Sequence, residues 1–161
     1  MPIKLTPAEM RIAAHLLYGA TNLEIAAKEH LAVQTVRSHL RNIRRLTNCG
    51  PRSSRAVLVH TLLATGRITP PPHETAPELS QEELQLMQAI AENSWPSDIA
   101  RSLGLTPDAL SAKTEALVAK AGAADTSHLT ALGHAWGFLS SEELHALAHS
   151  DASETDRTAP R

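Results

Sequence analysis

The chain has 161 residues, enough for one ordinary domain or two small ones, and its hydrophobic content of 42% supports globular cores. Aromatic residues make up only 2% of it, which favours helical bundles of Leu, Ile, Val and Ala over β-sandwiches. The sequence has no apolar run long enough to span a bilayer, no charged-then-apolar leader, and only one cysteine, Cys49. We therefore expect a cytoplasmic protein without a membrane segment or an internal disulfide.

The formal net charge of −2 hides a strong division between the two parts of the chain. Residues 1 to 68 contain ten Lys or Arg and three acids, a net charge of +7. Residues 69 to 161 contain five Lys or Arg and fourteen acids, a net charge of −9. This asymmetry predicts two parts with different partners, of which the first binds a polyanion.

Two capping motifs predict the first two helices. The segment from Thr6 to Glu9 is a capping box with Pro7 at the first helical position, so a helix should begin at Pro7 and stop at Gly19. A second capping box runs from Thr21 to Glu24 and opens a short helix that continues to about residue 29. Residues 30 to 32 then form a turn.

A strongly basic helix is predicted next, from Val33 to about Leu46. Its apolar residues form one stripe, Val33, Val36, Leu40 and Ile43. The other face carries Arg37, Ser38, Arg41, Arg44 and Arg45, with no acid nearby. Such a cluster is tolerated when the partner is a polyanion, because Arg binds phosphate or guanine through two parallel hydrogen bonds and neutralised phosphates release counterions. We interpret this helix as a DNA recognition helix; the alternative is a merely solvated charged face.

A short helix, a turn and a longer basic helix make up the helix-turn-helix arrangement. Asn48, Gly50 and Pro51 interrupt the chain after the basic helix. Ser53 or Ser54 should then cap a fourth helix that continues to about residue 65. The apolar residues of this helix are Val57, Leu58, Leu62 and Leu63.

Four short motifs occur together in this region: LTPxE from Leu5, a glycine turn at Gly19, NxEIA from Asn22 and TVxxHL from Thr35. In this combination they resemble the LuxR-type helix-turn-helix domain of bacterial transcription regulators, over roughly residues 4 to 68. Leu23 differs from the family, which usually has a basic residue there, and the NCGPRSS loop is about three residues longer.

The resemblance implies a role for each matching residue. The base-reading residues would be Arg37, Ser38 and Arg41. The phosphate-contacting residues would be Asn22, Thr35, His39, Arg44 and Arg45. The fourth helix commonly forms a two-fold dimer in this family, which would assign Val57, Leu58 and Leu62 to a dimer interface.

Residues 69 to 78 are rich in proline and predict a semi-stiff linker. The sequence after it repeats the first part at an offset of 74 residues: Ser80 to Glu83 is again a capping box, Ile99 and Ala100 match the second helix, and Leu110 and Leu117 match the basic helix. At the end of the repeat the offset falls to 71, because the first copy contains the longer loop. We therefore predict a second, degenerate LuxR-type helix-turn-helix domain.

The second copy keeps the apolar pattern but loses the basic residues. Ser111, Ala112 and Glu115 stand at the positions that match Arg37, Ser38 and Arg41, and Val118 and Ala119 match Arg44 and Arg45. A carboxylate aimed at phosphates lowers affinity, so DNA binding by this half is not expected. Val118 and Ala119 indicate either a protein contact surface or sequence drift on a surface that has no binding function.

A further capping box at residues 140 to 143 predicts a short C-terminal helix. His145 and His149 on this helix have a spacing that suits a metal, but no third ligand is defined, so solvated histidines are the preferred interpretation. The predicted fold is all-α: two tandem four-helix LuxR-type domains plus this helix. The predicted domains are residues 1–68, the linker 69–78, residues 79–150, and a disordered tail 151–161.

No motif of an enzyme, cofactor site or metal cluster is present in the sequence. We predict a transcription regulator that binds double-stranded promoter DNA through the first repeat and forms a homodimer; pairing of the two fourth helices within one chain is the alternative assembly. The alternative function is a protein-interaction regulator that contacts another regulator or RNA polymerase without binding DNA. A histidine-based metal-dependent hydrolase is the least favoured hypothesis.

Overall fold

The computed structural model describes residues 4–72 and 75–139, and within these ranges it contains eight α-helices and no strand. The helices are α1 (Pro7–Leu16), α2 (Asn22–Glu29), α3 (Val33–Leu46), α4 (Arg55–Ala64), α5 (Gln81–Glu92), α6 (Pro96–Leu103), α7 (Pro107–Ala121) and α8 (Thr126–Ala135). The all-helical architecture predicted from the composition is confirmed for the described residues. None of their helices is both long and apolar enough to cross a membrane.

The helix starts follow from local capping. In α1 the Glu9 amide donates to Thr6 Oγ1 over 3.2 Å, while the Thr6 amide donates to the Glu9 carboxylate, as the capping box predicts. The same reciprocal bonds join Ser80 and Glu83 at the start of α5. Ser54, one of the two predicted candidates, caps α4 by accepting from the Val57 amide. Each cap satisfies amides that have no partner within the helix.

The first core lies between α1, α2, α3 and α4. It buries the predicted stripe of α3, namely Val36, Leu40 and Ile43, against Ile12, Leu16 and Ile25. Val33 at the start of α3 is only partly buried. His30 ends α2 with φ of 56° in the left-handed region, and this single residue redirects the chain from α2 into α3.

The second core lies between α5, α6, α7 and α8. Its buried residues include Met87, Ile90, Ile99, Leu110, Leu117 and Leu129. Five of these, Met87, Ile90, Ile99, Leu110 and Leu117, follow buried residues of the first core at an offset of 74. Val118, which matches Arg44, packs against this core, whereas Ala119 is exposed.

The fourth helix of each half packs against the other, so α4 and α8 form the main contact between the halves. Ala131 of α8 belongs to the first core, and Ala56 of α4 belongs to the second. His60 and His134 meet across the pair, with 2.8 Å between His60 Nδ1 and His134 Nε2. The two halves therefore share buried surface.

The segment between α4 and α5 contains no helix among its described residues, and Pro71 within it is buried. Ile68 packs against the first core. This part of the predicted linker is therefore held against the protein. The predicted C-terminal helix, its two histidines and the tail lie outside the described residues.

Candidate nucleic-acid interface

The α3 helix presents one apolar and one basic face. Because Val36, Leu40 and Ile43 point into the first core, the residues between them point outward. Arg37 and Arg41 are exposed, and the described residues provide neither with an ion-pair partner. No acid occurs anywhere in α3. The two guanidinium groups therefore stand in solvent with their hydrogen-bond donors available to a ligand.

Three smaller polar residues share this face or its edge. Ser38 and Thr35 are exposed, and His39 is half-buried. The Ser38 hydroxyl donates to the Gln34 carbonyl over 3.1 Å, so its oxygen remains able to accept a hydrogen bond. Thr35, Ser38 and His39 therefore add hydrogen-bonding groups to the arginine face or its edge.

Arg45 is held in place by a relay to the core. Its Nη2 donates to Asn42 Oδ1 over 2.6 Å, and Asn42 Nδ2 donates to Glu9 Oε2 over 3.1 Å. Glu9 is only 2% exposed, so the relay begins inside the domain. In the sequence, Glu9 is recognisable only as a capping residue, and no motif marks Asn42. The spacing of Asn42 and Arg45, three residues apart on a helix, was the available signal.

Arg44 differs from the other arginines of α3 because its side chain is bound within the protein. Its Nε donates to the carbonyl and to the hydroxyl of Ser53, both over 3.1 Å. Burial lowers the pKa of the Arg44 guanidinium from its ordinary value, and the positive charge of Arg55 lowers it further. Arg44 therefore ties α3 to the loop before α4, and only the rest of its guanidinium is left for a phosphate.

Asn22 is likewise engaged. The Arg55 guanidinium donates through Nη1 to the Ala20 carbonyl over 2.6 Å and through Nη2 to Asn22 Oδ1. Burial lowers the pKa of Arg55, and the carboxylate of Asp125 opposes that shift. Arg55 thus connects the start of α4 to the start of α2, a role that the sequence did not reveal.

A shallow groove runs beside these residues, bounded by α2, the start of α3 and the start of α8. Arg37 lies at its edge together with Leu23, whose side chain is 70% exposed. The usual basic residue is therefore replaced here by an exposed apolar one.

The sequence model of a family described as bacterial regulatory proteins, luxR family, matches residues 4–61. Residues 4–61 form a LuxR-type helix-turn-helix domain. This is a domain of DNA-binding regulators, and it spans α1 to α3 and most of α4. The comparisons with curated proteins and with solved structures found no match.

In the second half, α7 lies at an offset of 74 residues from α3 and has a different surface. Ser111, Ala112 and Glu115 are exposed at the positions that match Arg37, Ser38 and Arg41. Both lysines of α7 turn towards α5: Lys113 pairs with Glu82 over 3.7 Å, and Lys120 pairs with Glu83 over 2.8 Å. Their charges are therefore directed away from Glu115.

The residues predicted for a homodimer interface lie mostly inside the chain. Leu58 and Leu62 of the LuxR-type domain are both 0% exposed, and Val57 is half-buried. A homodimer through Leu58 and Leu62 would therefore require α4 to separate from its present neighbours first. The homodimer stays a prediction.

The residues that the structure describes contain no group of three His, Cys, Asp or Glu side chains placed to hold a metal ion. His128 accepts from the Ala124 amide through Nδ1 over 3.0 Å. His134 faces His60. His145 and His149 lie outside the described residues.

Proposed function

We propose that this protein is a sequence-specific transcription regulator that reads promoter DNA with α3. The observation that carries the proposal is the exposed arginine cluster of α3 within a LuxR-type domain. Arg37 and Arg41 project from a helix that is anchored by its opposite face, which suits insertion into a major groove. A fixed helix loses little conformational freedom on binding, so most of the contact energy is available for affinity.

The proposed contacts differ in kind. Arg37 and Arg41 read base edges, where Arg binds guanine through two hydrogen bonds, and the Ser38 oxygen accepts beside them. Arg45, oriented by Asn42, contacts a phosphate on the backbone. Thr35 and His39 are proposed as further phosphate contacts. Asn22 and Arg44 retain only secondary roles, because both are already bonded within the domain.

We further propose that residues 79 to 139 are a degenerate copy of the same domain that does not bind DNA. Support comes from the helix lengths, since α1 to α4 have 10, 8, 14 and 10 residues and α5 to α8 have 12, 8, 15 and 10. Glu115 at the position of Arg41 would repel phosphates. The copy therefore contributes packing surface rather than a second DNA-binding surface.

We also propose that α4 pairs with α8 inside one chain in place of a second copy of α4. The α4–α8 contact supports this arrangement, since Ala131 of α8 lies in the first core, Ala56 of α4 lies in the second, and His60 meets His134 across the pair. A short tether raises the effective concentration of the second half to about the millimolar range, so pairing within the chain competes well against pairing between chains. The resulting particle would be a monomer with a single DNA recognition helix, α3.

The test is salt-dependent binding to an operator identified by genome-wide mapping of bound DNA. Arg37→Ala and Arg41→Ala should each cost about 1 to 3 kcal/mol on the operator and much less on random DNA. Arg45→Ala should weaken both kinds of DNA about equally and reduce the salt slope by about one. Arg101→Ala, an exposed arginine on α6 of the second half, is the matched control and should leave binding unchanged.

Light scattering and footprinting test the assembly. A particle of 17.3 kDa that protects one half-site agrees with the proposed monomer. Twice that mass with a palindromic footprint would instead support the homodimer. If the protein does not bind DNA even at low salt, DNA recognition is contradicted and the protein-interaction regulator is favoured. The acidic second half would then be the surface that contacts the partner protein.

A further inference from the structure

A cavity of about 340 Å³ opens in the second half, between the end of α5, the start of α6, α7 and the starts of α4 and α8. We call it the α7 cavity. Its floor is apolar and consists of Ala56, Ile90, Ile99 and Leu110, all of which are buried core residues. Its volume falls within the range of small-molecule sites, which usually have an apolar lining and few polar groups.

The cavity exists because two large side chains of the first half have small counterparts in the second. Thr114 stands at the position of Leu40, whose side chain fills the first core. Thr126 stands at the position of Arg55, whose guanidinium reaches Ala20 and Asn22 in the first half. Both threonines line the α7 cavity. The large side chains that pack around α3 therefore have no equivalent around α7, and the space that they would fill is open.

Polar groups converge at the mouth of this space. Ser111, Thr114 and Glu115, which occupy one side of α7, all line the cavity. The structure gives their side chains no hydrogen-bond or ion-pair partner among the residues that it describes. Among the described residues that line the cavity, Glu115 is the only charged one, and none is a Lys or an Arg. An anionic ligand is therefore disfavoured, whereas a cation with an apolar body matches both the floor and the mouth.

We propose that the α7 cavity binds a small organic amine, with its apolar body on the floor and its ammonium group at Glu115. The hydroxyl groups of Ser111 and Thr114 accept the remaining ammonium hydrogen bonds. Ser54, which caps α4, and Ala56 of α4 also line the cavity, so a bound amine contacts both halves and stabilises their association. The site does not depend on DNA recognition by α3.

The test uses the full chain without DNA and three probes of similar shape: 2-phenylethylamine, 2-phenylethanol and 3-phenylpropanoate. Binding is followed by NMR shifts of the Ile90 and Ile99 methyl groups. We expect saturable binding of the amine, about three- to tenfold weaker binding of the alcohol, and the weakest binding for the carboxylate. Saturating amine should also raise the Tm by several degrees.

Two variants assign the binding to this cavity. Glu115→Gln changes an exposed residue, so it should leave the fold intact and remove the preference for the amine over the alcohol. Thr114→Leu restores the residue found at the matching position of the first core and should weaken binding of all three probes at least about tenfold. Glu82→Gln, at a carboxylate in a separate cavity between α5 and α7, is the control and should change nothing.

Three results would overturn the proposal. The first is no saturable shift with any probe up to about 10 mM, well above millimolar dissociation constants. The second is tighter binding of the carboxylate than of the amine. The third is amine binding that Glu115→Gln and Thr114→Leu both leave unchanged. Because DNA is absent from these measurements, their failure would not affect the proposed role of α3, and loss of DNA binding would not affect them.

Discussion

The contact between the halves can be tested at Gly19, which joins α1 to α2. This residue has φ of +75°, and a Cβ atom added there would lie 2.8 Å from Asp125 Oδ1 and 3.0 Å from Ala124 Cβ in the loop before α8. Gly66 has a similar φ of +70° but open space where its Cβ would be. Gly66→Ala is therefore a matched control that introduces backbone strain without a contact between the halves.

The two substitutions should differ by a predictable amount. Alanine in the left-handed region costs about 1 to 2 kcal/mol at either position, partly offset by the reduced entropy of the unfolded chain. At Gly19 the new methyl group must also displace Asp125, whose Oδ1 caps α8 by accepting from the His128 amide over 2.9 Å. Overpacking of this kind costs about 1 to 3 kcal/mol more. Gly19→Ala should therefore reduce the free energy of unfolding by about 1 to 3 kcal/mol more than Gly66→Ala does.

Urea denaturation of both variants, followed by circular dichroism, measures this difference. A double-mutant cycle with Asp125→Ser locates it, since serine still caps α8 but has a shorter side chain. We expect the serine to recover part of the extra loss at Gly19 and nothing at Gly66. Equal destabilisation by Gly19→Ala and Gly66→Ala, without coupling to position 125, would refute the reasoning and mean that the halves do not touch there in solution.

Three further predictions follow from the same structure. Burial, and then the charge of His60, lowers the pKa of His134 to about 4, and burial also lowers the pKa of His60 against the opposing effect of Glu92. Below about pH 6.5 the unfolded chain therefore binds more protons than the folded protein, so the free energy of unfolding measured by urea titration should fall from pH 6.5 to 4. His134→Leu should flatten this pH dependence. Arg44→Ala should lower the Tm because it removes the bonds to the loop before α4, whereas Arg45→Ala should barely change it; equal Tm values would contradict the structural role of Arg44. Tryptophan fluorescence reports only the second half and circular dichroism reports all helices, so a shared interface predicts coincident urea transitions, and two separate midpoints would contradict it.

Much of the local structure was determined by the sequence alone. The capping boxes at Thr6 and Ser80 predict the starts of α1 and α5, because the cap and its partner are only three residues apart. The apolar stripe of α3 likewise predicts which face is buried, and hence that Arg37 and Arg41 are exposed. These features depend on neighbours along the chain, and for that reason they are visible without the fold.

The tertiary structure decided which surfaces meet. The apolar face of α4 required a cover, but hydrophobic burial has no direction, so the sequence did not distinguish a second α4 from α8 as the partner. The internal bonds of Arg44 and Arg55 were equally hidden, because their acceptors come from other segments of the chain. The α7 cavity depends on two distant substitutions, Thr114 and Thr126, that become neighbours only when α7 and α8 pack together. Such features require the distances between elements, which local pattern does not contain.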